Sequence, residues 1–594
     1  MSQDSGDSKR RLTRRNLLKA GAAAGVAAAT GTGAGLALMA GAGAGLTADI
    51  ARATDRGPRR DTEDLILVNG RIHTMDDDNS VASAVTIRRG RFVHVGHGAH
   101  AGGPDTRLID LRGRTVVPGI VEGHIHVVSM GNRPGYHTPL ENTTTLSEVQ
   151  EVLAARRREV PPGQWITSMG GWHPNQWVDF RRRPNRAELD AAVSDRPVVV
   201  WQQFTGPAVV NSMGKAFFDA IDAGPLPHPD AVKIRTADDG TIAAAGFTTG
   251  GPAATALYVL RSLQTFEDKK RSTLDAMSYA TSVGLTSMLD EVLFPTPGPL
   301  HPFQILSNLD QYRMYDAWLE LHREHRTSVR LQMNFLQNQS DPNLPELKER
   351  LRNQFQFFGD DMLMTGSIGE WAAPLSPQSV WFEAQRLVAQ ARWRNENSVQ
   401  TLALLQQVVE GYEKVDAEFG IKGLRWMVHH VPFVTTDLLD RLHAMGCGVE
   451  MAAFRWVSAA ENDATNVGAP FRTILDHATR IGMPVGIHGD GVHIAPLNPW
   501  LHIYYATTGL SSFGKQINAG QQLTRQEALR LFTRGNSYFL KMEDKIGSIE
   551  VGKLADLVVL NDDYFRVRDE DLKKLRSVLT IVDGEIVHDA GVLP

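Results

Sequence analysis

The stretch GIVEGHIHVV, residues 119–128, sets His124 and His126 two positions apart inside an apolar run. Read as a strand, it turns both imidazoles to one side, because strand side chains alternate with a period of two. Neutral imidazoles are good metal ligands, so the pair is half of a candidate metal site. Read as plain core, it is two packed histidines. What lies around it bears on the choice: TVVPG (115–119) closes a β-rich segment, and a first barrel strand starting there carries both histidines to its C-terminal end. That end is where parallel barrels keep their functional residues.

Working outward, the upstream runs DLILVNGRIHTM (64–75), AVTIRRGRFVHVG (84–96) and TRLIDLRGRTVVPG (106–119) are short, β-rich and broken by glycine turns. They predict a small antiparallel sheet. A matching set, GSIEVGKLADLVVLNDD (547–563) and SVLTIVDGEIVHDAG (577–591), follows the helical segment TRQEALRLFTRGNSYFLK (524–541). Two terminal β-sets around a long middle predict one composite β-sandwich built from both chain ends, residues 61–116 and 543–594.

In the middle, apolar runs such as GLTSMLDE (284–291), SVRLQMNFL (328–336), RWMVHHVPF (425–433) and MPVGIHGDG (483–491) alternate with helical patterns such as TTDLLDRLHAM (435–445). This is the signature of βα units, and an α/β fold with a (β/α)8 TIM barrel over residues 117–542 fits the length. Residues 131–256 break the pattern with four tryptophans among many glycines and prolines, and are read as an irregular insertion after barrel strand 1.

Composition is that of an ordinary globular chain: 594 residues, 42% hydrophobic, 22% charged, net charge -5. Nothing in it points to nucleic acid. The single cysteine, Cys447, excludes an intrachain disulfide and a multi-cysteine zinc site, so a metal needs nitrogen and oxygen ligands. At the N-terminus, a basic segment holding Arg14-Arg15 runs into a Gly/Ala-rich stretch that ends at Ala51-Arg52-Ala53. Residues 1–53 are therefore expected to be a twin-arginine signal peptide, which makes the export machinery a partner and the mature chain an exported protein; the alternative is an uncleaved membrane anchor.

The order VVPGIVEGHIH, GLTSMLDE, a strand ending at His430, Asp490 in GIHGDG, then LTRQEALRLFT and GSIEVGKLADLVVLNDD resembles the metal-dependent amidohydrolase superfamily. The likeness is strongest to the subgroup containing N-substituted formamide deformylases. It implies a distorted TIM barrel with a composite sandwich, a small-molecule substrate, and hydrolysis of a carbon-nitrogen bond by metal-activated water. Carried over by position, His124, His126 and His430 become metal ligands, and Asp490 becomes both a ligand and the catalytic proton shuttle. The metal is a divalent ion, zinc by default, with one or two per chain.

Departures from that pattern carry equal weight. Binuclear relatives use a lysine from the fourth strand and a histidine from the fifth, yet DDMLMTGSIGEWAAP (360–374) has no lysine and no histidine lies between His325 and His429. Glu370 is the candidate substitute, and His488, two before Asp490, a second. The fifth-strand segment RNENSVQTL (394–402) offers Asn395, Glu396, Asn397 and Gln400. His429 adjoins His430, so in a regular strand only one of them reaches the site. The histidine common near Gly206 in relatives is missing, and Asp290 and Glu291 end a strand without an assignable role. Trp172, His173 and Trp177 in GGWHPNQW (170–177) are candidates for an aromatic substrate cleft.

The expected activity is hydrolysis of an amide or of an N-acyl or N-formyl group. The rivals are a mononuclear aminohydrolase deaminating a heterocycle and a catalytically degenerate ligand-binding relative. A homo-oligomer is compatible with the chain.

Overall fold

The computed structural model describes residues 64–98, 103, 106–203, 206–244, 251–291, 313–337, 341–372, 377–459, 468–492 and 494–593. The expected signal segment 1–53 lies outside them. Among the described residues no helix is long and apolar enough to cross a membrane.

Eight parallel strands form the barrel sheet in chain order: β1 (Ile120–Ile125), β2 (Leu285–Glu291), β3 (Arg330–Gln337), β4 (Leu363–Ala372), β5 (Asn395–Ser398), β6 (Met427–His430), β7 (Gly448–Ala452) and β8 (Val485–His488). Every residue of β1 is buried, as a strand covered on both faces requires. The outer helices follow from their sequence. Thr435 caps the helix Thr436–Ala444 by accepting from Leu438 N, and Leu438, Leu439 and Leu442 turn inward.

The sheet closes where β1 meets the segment after β8, through a bridge between Ile125 and Gly491. Beside this seam the Asn536 amide donates to Val121 O (2.6 Å) and Ile487 O (2.7 Å), and its oxygen accepts from Ile487 N (2.9 Å). One buried side chain thus replaces ladder bonds that two diverging strands cannot make. Asn536→Ala leaves these backbone groups unpaired and is expected to cost about 3 kcal/mol, read as a lower denaturant midpoint in urea unfolding.

The terminal β-sets join as expected, but into two sheets that include parallel pairings. Leu557–Leu560 pairs antiparallel with Thr115–Pro118, so the six-stranded sheet is built from both ends. The four-stranded sheet contains N-terminal strands alone, and there Leu65–Val68 runs parallel to Arg107–Asp110. The expected purely antiparallel sheet is corrected here: the chain crosses between layers, so neighbours in sequence do not all pair as hairpins. Arg330 of β3 ties barrel to sandwich with a buried two-pronged pair to Asp556 (2.7 and 2.9 Å).

The segment read as irregular contains a sheet of its own, ordered Thr241–Ile242, Ala208–Val210, Val198–Trp201, Ile166–Met169 and Tyr136–His137. Its strands are only two to four residues long, too short for a period-two pattern to show. It docks on loops after the barrel strands. Glu141 accepts from Leu497 N (2.7 Å) and Asn498 N (2.8 Å), and Asn175 donates to Ala459 O (2.9 Å).

Candidate metal centre

Both histidines of GIVEGHIHVV stand at the end of β1, His124 fully buried and His126 nearly so. The strand packs closely at the glycine between Glu122 and His124, where a Cβ on Gly123 would lie 1.9 Å from Glu450 Oε1 and require that carboxylate to move. Asp490, two residues beyond β8, reaches across the seam. Its Oδ1 is 3.5 Å from His124 Nε2 and 3.1 Å from His126 Nε2, and its Oδ2 is 3.4 Å from His430 Nε2.

His430 takes an unusual turn to get there. Its φ of 70° ends the strand in the left-handed region, so its ring folds back and stacks on His429 at 4.8 Å and 6°. The expectation that only one of these two reaches the site is thereby corrected: alternation holds for extended backbone, and β6 stops being extended at His430. The Gln400 amide nitrogen donates to His430 Nδ1 (2.5 Å) and the Ser398 hydroxyl lies 2.7 Å from it, so Nδ1 accepts and the ring proton sits on Nε2, turned to Asp490. Ligation through Nε2 would require the Gln400 amide to turn its oxygen to Nδ1.

Glu370 lies at the same centre, 3.9 Å from His124 Nε2 and 4.0 Å from His429 Nε2. His488 is fully buried, with its ring 4.8 Å from that of His124 and 5.1 Å from that of His430. Donor atoms of His124, His430 and His488 lie within 4.8 Å of one another, as do those of His124, His126 and Glu370.

A divalent ion fits this arrangement. The ring nitrogens of His124, His429 and His488 and Nε2 of His430 are buried without hydrogen-bond partners, a costly state that a cation would relieve. The donor set is nitrogen and oxygen alone, in keeping with the single cysteine, which is buried at Cys447. Charge follows suit. Burial opposes a proton on His124, but Glu291, Asp490 and Glu370 outweigh it and hold its pKa well above the ordinary value. Burial likewise favours a neutral Asp490, yet the His124, His126 and His430 imidazoles facing it keep it well below the usual carboxylate range.

Residues 107–588 match the model of the Amidohydrolase family. The chain belongs to the amidohydrolase family. It is accordingly a hydrolase of carbon-nitrogen bonds. Among its relatives, an N-substituted formamide deformylase of Arthrobacter pascens is 23% identical over 571 residues, covering 89% of this chain and 98% of that one. The putative amidohydrolase YtcJ of Bacillus subtilis (strain 168) is 23% identical over 559 residues, covering 88% and 98%. In fold, the chain is similar to an uncharacterized metal-dependent hydrolase from Pyrococcus horikoshii OT3, with a TM-score of 0.55 at 17% identity, covering 85% of this chain and 99% of that one.

This amidohydrolase does not use its insertion tryptophans as a cleft. Trp172 (1% exposed) and Trp177 (0%) stack on each other at 4.8 Å in the insertion's own core, and Trp177 Nε1 donates to Thr143 Oγ1 (2.8 Å). His173 caps the turn Pro174–Gln176 by accepting from Asn175 N at 3.1 Å. The candidate aromatic subsite is corrected on these grounds: large rings in a small separate layer are its main source of buried apolar area.

Sequence reasoning named Glu396 among the fifth-strand candidates but missed the other acids beneath the amidohydrolase centre, Glu122 and Glu450. Glu122 accepts from Gly489 N (2.9 Å) across the seam, and burial pushes its carboxyl up to about 8. Glu450, also raised to about 8 by burial and by Glu396, has neither oxygen paired. Glu396 forms a fully buried pair with Arg394 (2.6 Å). One signal was available: Glu122 shares strand parity with His124 and His126, so it too had to point inward.

Proposed function

We propose that the chain is an exported hydrolase that cleaves an amide, N-acyl or N-formyl bond with metal-activated water, Asp490 carrying the proton. The observation that carries this reading is the Asp490 carboxylate, whose two oxygens stand 3.1 to 3.5 Å from three imidazole Nε2 atoms. His124, His126, His430 and Asp490 would hold the ion, and Glu370, grouped with His124 and His126, and His488, grouped with His124 and His430, would be the further donors at this centre. Zinc suits these donors best, and iron or manganese would tolerate them. When bound, the ion acidifies the attacking water and polarises the scissile carbonyl.

Asp490 then acts twice. It accepts the proton released as the C–O bond forms, and returns it to the nitrogen as the C–N bond breaks, so that amine and carboxylic acid leave. The deep burial of the histidines excludes bulk water from the ligand nitrogens. The likeness to an N-substituted formamide deformylase favours an N-formyl substrate for this chain. Export by the twin-arginine route rests on Arg14-Arg15 and the Gly/Ala-rich stretch behind them.

The test is a screen of N-formyl and N-acyl amines against zinc-loaded mature protein, following amine and acid release. Stoichiometric amine and acid are expected. Ammonia released from heterocyclic amines without amide cleavage would replace this reading by deamination.

A further inference from the structure

A histidine that binds metal through one ring nitrogen needs a partner on the other, which sets its tautomer and its angle. His126 Nδ1 contacts the backbone carbonyl of Glu291, the last residue of β2. A carbonyl only accepts, so Nδ1 carries the proton and Nε2 is left with its lone pair towards Asp490. His124 is oriented alike, with Nε2 towards Asp490 and Nδ1 facing Glu291 Oε2 at 3.7 Å.

We propose that Glu291 is the positioning residue for both histidines of the H-x-H pair, its carbonyl holding His126 and its carboxylate holding His124. Three further observations carry this. Oε2 of Glu291 and Nδ1 of His124 are each buried without a hydrogen-bond partner and face each other. The other carboxylate oxygen is fixed, since Asn334 Nδ2 donates to Oε1 (3.1 Å) while Asn334 Oδ1 accepts from Ser367 N (2.9 Å). Glu291 is also fully buried, which keeps substrate from its carboxylate.

Its neighbour divides the labour. Asp290 points the other way, accepting from Val128 N (2.9 Å) and Tyr315 Oη (3.0 Å), and so anchors the turn that follows His126. The Asp-Glu pair ending β2 thus fixes the end of β1 from two directions.

The inference rests on the reading that His124 and His126 hold the metal. It is tested on full-length protein stripped with a chelator and retitrated with zinc, comparing wild type with Glu291→Gln and Glu291→Leu. Metal equivalents at saturation, affinity by competition with a chromophoric chelator, and the visible spectrum of the cobalt form are read. Both variants are expected to bind as many equivalents as wild type, but about 10 to 100-fold more weakly, Leu more so than Gln, with a changed cobalt spectrum. Asn334→Leu, which frees Oε1 but keeps Glu291, is expected to weaken zinc in the same direction and serves if the Glu291 variants do not fold.

Unchanged affinity in a folded variant, with only the metal-free melting temperature lowered, overturns the proposal. So does loss of one equivalent in Glu291→Gln, which would make Glu291 a ligand of a second ion beside His124 and His429. Absence of metal in wild type would instead sink the hydrolase reading itself.

Discussion

Asp490→Asn is expected to keep its metal and to lose about a thousandfold in kcat, within the range for removal of a general acid-base group. The substitution keeps shape and oxygen but removes the ability to take a proton. Burial alone would leave the Asp490 carboxyl protonated, but the three imidazoles facing it hold it well below the ordinary carboxylate value, so at neutral pH it is an ionised acceptor. Its φ of 51° places it in a sharp turn between Gly489 and Gly491, and Gly491 O is bonded to His126 N (3.3 Å). The amide therefore occupies the same place. Steady-state kinetics with metal analysis on the same preparation separates the outcomes. Unchanged kcat removes Asp490 as the proton carrier; joint loss of metal and activity makes it chiefly a ligand.

Much of the fold was legible because its largest elements are strongly patterned. Strands such as Gly448–Ala452 are largely apolar runs between helical patterns, though β5 (Asn395–Ser398) is polar, and helices such as Phe471–Ile481 carry an apolar stripe and stop at Gly482 in the left-handed region. The insertion was not legible, because strands such as Thr241–Ile242 have no room for a period. Parallel pairing within the N-terminal set escaped for another reason: partners such as Val68 and Asp110 are set by layer crossing, which local sequence does not encode.

The site divides the same way. His124 and His126 were read from residue type and strand position, His430 and Asp490 from the resemblance, and Glu370 and His488 as substitutes for its missing ligands; the structure brings the six side chains close together. His429 was set aside by strand parity, and it enters because β6 turns left-handed one residue early. The tryptophans misled because aromatic residues beside glycines look alike whether they line a cleft or fill a core. Glu291 had no assignable role, since what matters there is a carbonyl and a carboxylate reaching different histidines, a feature of register between β1 and β2 rather than of composition.

His124→Ala is expected to abolish metal binding and, with it, turnover above the uncatalysed background. The His124 ring is the hub of the cluster: those of His126, His429, His430 and His488 lie 5.3, 4.3, 5.3 and 4.8 Å from it. Among the described residues, every grouping of donor atoms close enough to share an ion includes it. No neighbour replaces it, because His126 and His430 reach Asp490 from different oxygens and Glu370 lies nearest to His124 and His429. A ligand that binds only the native state stabilises it by RT ln(1 + L/Kd), L being the free ligand concentration, on the order of 4 kcal/mol at a thousand times Kd. Wild type should therefore melt at a lower temperature once a chelator is added, whereas His124→Ala should melt at one temperature with or without it. A chelator-sensitive melting temperature in His124→Ala would show that the ion sits elsewhere, and would move the metal centre away from the end of β1.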